Sequence, residues 1–281
     1  MRLGQQIYDV SEAGWQGTVK ALTIPMEKRD IKLMGEKKSL DRYQAVVRTD
    51  NQAVMSIVST GYRLVRHDEA LAGLLEGLSK EGWQPRRLHL ERGGAHALVE
   101  VINPTIDIGI KQLVPDSLLP RMILHNSVDL RGSLKANFGI FRLICTNGLM
   151  VPLSHNSQLN FRAVHVGATM ERFGLFMAEV VKRLPILKEL AQHYGGMMNT
   201  KVSPQRAETL LRKVAGKRQL ERVMYLWEHA EGQPKDWKTS WGLYNGFTYW
   251  LTHEASGGLY HRDLKSQQLL RLLLPRQTVK P

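Results

Sequence analysis

Glu100, Asp107 and Asp129, with His125 close by, are the residues of the first half best suited to hold a divalent metal ion. Two or three converging carboxylates of this kind would activate water against a phosphodiester. Their spacing matches no metal-site motif, and surface acids and turn residues are the plainer account of them. Other catalytic signatures are absent. "GGMMNTKVS" and "VAGKRQ" lack the Gly-Lys-Ser/Thr order of a phosphate-binding loop, and no His-Glu-x-x-His pair occurs. The single cysteine, Cys145, lies in "LICTNG" between apolar neighbours, where nothing nearby lowers its pKa, so it reads as a small buried hydrophobe. No catalytic residue, metal or cofactor is therefore assigned.

Cations offer a different chemistry. Between Ser117 and Gly167 the only carboxylate is Asp129, against Arg121, Arg131, Lys135, Arg142 and Arg162. Such a span cannot neutralise its own arginines locally, and it suits a phosphate backbone. Arg142 stands inside the apolar run "FGIFRLICTNGLMVP", and an arginine is costly to bury without a partner. Regular strand alternation places it in one layer with Ile140 and Ile144, which suits a buried pair; a bulge at Gly139 would move it to the side of Arg131, Lys135 and Asn137. Either geometry satisfies the pattern. A buried network of Arg142, Asp129 and Asn126 that fixes sheet register is the structural alternative to direct contact.

Aromatic residues gather in "WKTSWGLYNGFTYWL", where Trp237, Trp241, Tyr244, Phe247, Tyr249 and Trp250 could stack unpaired bases. Their distribution around a helix favours burial among neighbouring helices instead.

These residues need elements to position them. Residues 1–42 read as a polar, irregular lead-in: a loop, an arm or a short strand. From Tyr43, "YQAVVRT" and "AVMSIVS" flank "DNQ" as a hairpin, and "HDEALAGLLEGLSKEG" places Ala70, Leu71, Leu74, Leu75 and Leu78 at helical spacing. "WQPRRLHLER" and "AHALVEVI" alternate around Gly93-Gly94 as a second hairpin, and Asn147-Gly148 should turn "GIFRLIC" back into "LMVPL". The second half is helical. Phe173, Met177, Val180, Leu184, Leu187 and Tyr194 share a helical face interrupted at Pro185. Ser203-Pro204 caps a helix carrying Leu210, Leu211 and Val214, and three further helical segments end at Pro275.

Strands first and helices later predict an α+β protein: an N-terminal antiparallel sheet with a crossing helix, then a mainly helical half. The expected division is a lead-in to residue 42, a β-rich domain over 43–167 and a helical region over 168–281 packed on it. The net charge of +13 and pI near 9.9 point to a polyanion, nucleic acid first. The N-terminus carries Asp9 and Glu12 where a secretory signal would be apolar, and no segment approaches the roughly 18 apolar residues of a membrane span, so a cytoplasmic protein is expected. One cysteine excludes an intramolecular disulfide.

"ILHNSVDLRGSLKANFGIFRLICTNGLMV" resembles the core motif of a phage- and plasmid-borne family, domain of unknown function 932, which includes the YafZ and YubP type of prophage and plasmid proteins. That motif runs Asn-Ser-His-Asp-Gly-Ser-Ser, then Gly-Ile-Phe-Arg and Cys-Thr-Asn-Gly-Leu. Here it falls on Asn126, Ser127, Asp129 and Ser133, then Gly139, Ile140, Phe141, Arg142, Cys145, Thr146, Asn147, Gly148 and Leu149. "GYRLVRHDEAL" and "SWGLYNGFTYWLTH" are also similar to family segments. Val128 stands where the family has histidine and Leu130 where it has glycine. The missing histidine counts against a mechanism that needs it as a base. The resemblance implies a mobile-element setting but brings no biochemical activity with it.

The expected function is a non-catalytic nucleic-acid-binding protein, handling single-stranded DNA in recombination or replication. Its expected contacts are Arg131, Lys135, Asn137, Arg142 and Arg162. By fold-level analogy with ring-forming single-strand annealing proteins, a homo-oligomer stays open. The alternatives are a metal-dependent phosphodiesterase on Glu100, Asp107 and Asp129, and a protein that docks on an acidic host factor.

Overall fold

The structure, a computed structural model, describes residues 6–35, 38–106, 118–142, 148–149, 160–163, 175, 196–229, 238–256 and 258–274. At 118, 138, 140–142, 148–149, 160–163, 259, 260 and 263 the description is of the backbone. The expected helix face from Phe173 to Tyr194, with Pro185, lies outside the described residues apart from Leu175.

The chain opens with strand β1 (Gln6–Asp9), helix α1 (Gly14–Leu22) and strands β2 (Met26–Lys32), β3 (Ser39–Arg48) and β4 (Val54–Ser59). Helix α2 (His67–Lys80) follows, then β5 (Gln84–Glu91), β6 (His96–Ile102), β7 (Leu118–Ser127), β8 (Leu134–Arg142), β9 (Gly148–Leu149) and β10 (Asn160–Ala163). The described remainder is helical: α3 (Pro204–Leu211), α4 (Lys217–His229), α5 (Ser240–His253) and α6 (Leu259–Leu273). The α+β class is as expected. The irregular lead-in is not: residues 6–32 form β1, α1 and β2. Their charges hid a real alternation, because Met26 faces inward while most of β2 is exposed on an edge strand.

β2, β3 and β4 make a three-stranded sheet, and the larger sheet runs β1-β5-β6-β7-β8-β10, with β9 also paired to β8. The predicted hairpins are the antiparallel pairs β3–β4 and β5–β6. The third is the pairing of Ile140 with Leu149 and Phe141 with Gly148. Contacts divide the chain into two compact units. One lies within Met1–Thr105, Met122–Asn137 and Gln158–Val181; the other lies within Ile106–Arg121, Phe138–Ser157 and Lys182–Pro281.

In the first unit, register pairs Leu88 with Val99 and Leu90 with Ala97, and all four are buried. α2 buries Ala70, Leu71, Leu74, Leu75 and Leu78, the stripe that the sequence spacing gives, and α1 packs on α2 and β5. The opposite face of β5 and β6 carries His89, His96, Leu98 and Glu100. Buried polar side chains there need partners, and His96 finds its own in the site described below.

In the second unit, Ser203 accepts a hydrogen bond from the Arg206 backbone N–H at 3.3 Å, with Pro204 opening α3, and Leu210, Leu211 and Val214 are buried. α5 is buried nearly all round, with Trp241, Leu243, Tyr244 and Phe247 fully enclosed. A Cβ at Gly246 would stand 3.1 Å from the Trp227 backbone, so glycine is what lets α5 approach α4 so closely. The Tyr244 hydroxyl meets Ser266 Oγ at 2.5 Å, tying α5 to α6. Trp241, Tyr244 and Phe247 are therefore core, as the spacing of the run suggests, and Trp250 is half-buried. Trp237 lies outside the described residues, and Tyr249 is exposed.

Candidate functional site

Consecutive residues at the end of β7 point to opposite faces of the sheet, and each finds a histidine. His125 faces His96 on β6, its Nε2 lying 3.3 Å from His96 Nδ1. Asn126 faces His67, the first residue of α2, and donates from Nδ2 to His67 Nδ1 at 3.0 Å. The His67 Nε2–H in turn donates to the Gly94 carbonyl at 2.8 Å. His67 thus uses one nitrogen as donor and one as acceptor, which fixes its tautomer, and His96 likewise engages both of its ring nitrogens.

The His96 chain ends on Asp129. Asp129 Oδ1 accepts from His96 Nε2 at 2.8 Å and from the Arg131 backbone N–H at 3.0 Å. Arg92 Nε lies 3.3 Å from Oδ2. Burial alone would push this carboxyl up, but the His96 hydrogen bond and charge, the Arg131 N–H and the Arg92 guanidinium hold it below the usual carboxylate range. Burial, with the same carboxylate in support, raises the Tyr62 phenol.

His125 behaves in the opposite sense. Burial, with the charges of His96, Lys135 and His67 in support, pushes its imidazole down to about 3, although Asp129 pulls the other way. A neutral imidazole is therefore walled into the sheet. Gly132 closes over it: a Cβ there would stand 2.7 Å from His125 Cε1 and 2.6 Å from Ser127 Oγ. The turn between β7 and β8 is drawn down by Asp129 at one end and pressed on His125 and Ser127 at the other.

Backbone geometry in this turn bears on two departures from the motif. Val128 is fully buried; its N–H donates to the Ala95 carbonyl, and its own carbonyl accepts from Ser56 Oγ at 2.9 Å. An apolar side chain suits that enclosed position. Leu130 has φ +62° and is more than half exposed. That left-handed conformation is one glycine adopts freely, which gives a physical reason for glycine at this position.

Expected contact residues fall around this network. Arg131 is exposed in the turn, and among the described residues no carboxylate lies within ion-pair distance of its side chain. Lys135 and Asn137 are half-buried on β8, and Lys135 is near enough to act on His125. Register makes Arg162 of β10 the cross-strand partner of Lys135, and Asn160 the partner of Asn137. Four of the five expected residues thus lie on the β7–β8 turn and the β8–β10 pair. Arg142 is the last residue of β8, and its side chain, like that of Arg162, lies outside the described residues. The choice between its two geometries lies there too.

Of the suggested Arg142–Asp129–Asn126 network, the Arg142 side chain lies outside the described residues, and only the other two members can be placed. Asp129 and Asn126 belong to two separate chains of hydrogen bonds, one on each face, organised by His96 and His67. These histidines, with Arg92, were missed by motif reasoning. "GGAH" sits 33 residues before "NSVD", and only strand pairing makes them neighbours.

Of the carboxylates weighed for a metal site, Asp129 spends both oxygens on protein donors. Glu100 is buried with Arg86 Nη1 at 3.5 Å, and Asp107 and Cys145 lie outside the described residues. Among the described residues no three metal-ligating side chains gather. No helix among them is long and apolar enough to cross a membrane.

The hydrogen-bonded residues around Asn126, Ser127 and Asp129 coincide with the motif that carries the resemblance. No curated protein and no solved structure matches the chain. Residues 54–274 do match a family, that described as Domain of unknown function (DUF932). The match takes in α2, the His96–Asp129 network and the helices to α6, well over half of the sequence, and the chain belongs to this family.

Proposed function

We propose that the chain is a non-catalytic nucleic-acid-binding protein that grips the phosphate backbone of single-stranded DNA, in the recombination or replication of a mobile element. The observation that carries the reading is the direct cross-strand pairing of Lys135 with Arg162. Register thus brings two basic residues to one position on the sheet, a pairing suited to phosphate oxygens. Asn137 and Asn160, the next same-register pair, add neutral amide groups suited to phosphate or sugar oxygens. Arg131 contributes an exposed cation from the turn that Asp129 anchors.

In this reading the histidine–aspartate network is scaffold. Asp129 keeps the turn closed and Arg131 projecting, while the neutral, enclosed His125 adds no charge and meets no substrate. Engagement of both Asp129 oxygens by protein donors disfavours the phosphodiesterase alternative.

Fluorescence anisotropy with a labelled single strand, titrated over a range of salt, tests the proposal. Binding should weaken linearly in log K against log salt, and Arg131→Ala and Lys135→Ala should each reduce that slope by about 0.7. A chain that binds no strand even at low salt, or variants that leave the slope unchanged, would sink it.

A further inference from the structure

Along α4 the residues Arg218, Arg222, Tyr225 and His229 are spaced four, three and four apart and form one exposed stripe. Tyr225 is 52% exposed, and its ring stacks on His229 with centroids 4.5 Å apart and planes 19° off parallel. Arg222 lies on the same ring, its Cζ 5.2 Å from the centroid. The neighbouring helix repeats the device: Tyr249 of α5 is 40% exposed and lies 4.4 Å from His253.

Arg222 ties the two helices together. Its guanidinium makes a two-pronged pair with Glu254, just beyond α5, with Nε 2.9 Å from Oε2 and Nη2 2.8 Å from Oε1. Glu254 neutralises Arg222, so this arginine supplies a braced flat surface more than net charge. Unspent charge lies nearby in the exposed Lys217 and Arg218, and Lys213 precedes α4. The acids Glu221 and Glu228 fall to one side of the stripe, roughly 60–80° around the helix at 100° per residue.

Exposed tyrosines normally gain nothing from being held still. Here two are each fixed against a histidine, and Tyr225 is also fixed by a guanidinium that is itself locked by a carboxylate. Rings pre-set in this way lose little freedom on stacking with another flat group. Aromatic faces beside lysines and arginines fit one ligand chemistry well, the unpaired base of a single-stranded polynucleotide.

We propose that Tyr225 and Tyr249, braced by His229, His253 and Arg222, form a stacking platform for unpaired nucleobases of single-stranded nucleic acid. This rests on the function proposed above and deepens it. The strand β8–β10 residues are assigned phosphates, while the α4–α5 platform distinguishes a base-bearing strand from a bare backbone.

The test compares a labelled oligothymidylate with an abasic strand of equal length, which keeps every phosphate and loses every base. The full chain should prefer the base-bearing strand by about tenfold or more, as stacking on an aromatic ring supports. The double variant Tyr225→Ala, Tyr249→Ala should lose that preference while keeping its salt slope. The Phe double variant, which retains both rings, should restore it. Both tyrosines are exposed, so thermal melting near the wild-type temperature checks the fold of each variant. Equal binding of both strands by the wild type, or an unchanged preference in the Ala variant, overturns the platform and leaves the phosphate grip standing. Failure to bind either strand at low salt overturns both.

Discussion

His96 Nε2 donates to Asp129 Oδ1 across 2.8 Å, and this bond joins the first residue of β6 to the turn that follows β7. Asp129 also receives Arg92 and the Arg131 N–H, so its charge holds three segments together. Replacing Asp129 with Asn keeps the shape and removes the charge, leaving Arg92 without its carboxylate. The expected cost is about 2 kcal/mol, the scale of a hydrogen bond to a charged group. It is read as a lower midpoint in urea unfolding at unchanged slope; a midpoint equal to wild type would show that the network adds no stability.

His125 makes stability depend on pH in a definite direction. Its folded value is about 3 and its unfolded value about 6.5. Between these limits the unfolded chain takes up a proton that the folded chain refuses, so folding weakens as pH falls. The contribution is intact above about pH 6.5 and declines by at most about 1.4 kcal/mol per pH unit on the way down. His96, Lys135 and His67 reinforce the effect and Asp129 opposes it. Asp129 adds a separate loss: its lowered carboxyl stabilises the fold above its ordinary value near 3.8, and that stability disappears below it. Melting temperature measured from pH 7 to pH 4 should therefore fall in the wild type and fall less in His125→Gln. Parallel profiles would contradict the assignment.

Leu130 occupies a left-handed backbone conformation at φ +62° with its side chain largely in solvent. Such a conformation costs a branched residue roughly 1–2 kcal/mol, while glycine gives back about 0.5–1 kcal/mol in unfolded-state entropy. Leu130→Gly should therefore raise stability by up to about 1 kcal/mol despite removing an entire side chain. Chemical denaturation decides this: a clear loss would mean that the leucine makes a contact outweighing its strain.

Much of the architecture was legible in the residues. The stripe Ala70, Leu71, Leu74, Leu75 and Leu78 gave α2, and Ser203-Pro204 gave the start of α3, because helical spacing and capping are local properties. The hairpin around Gly93-Gly94 was equally local. β1, α1 and β2 were not legible, since short, charged edge elements take their order from the strands they pair with.

By itself the sequence determined that cations outnumber carboxylates in the span from Ser117 to Gly167, that the helices of the second half bury aromatic rings, and that Asn126, Ser127 and Asp129 belong together. Only the tertiary structure decided which groups meet. His67 lies 59 residues from Asn126 and His96 lies 33 from Asp129, distances over which no spacing rule operates. Strand register set Lys135 opposite Arg162, and the crossing of α4 with α5 at Gly246 brought Arg222 to Glu254. Local pattern fixes which face of an element is apolar, but the partners of its polar groups are chosen by pairing and packing between segments far apart in the chain.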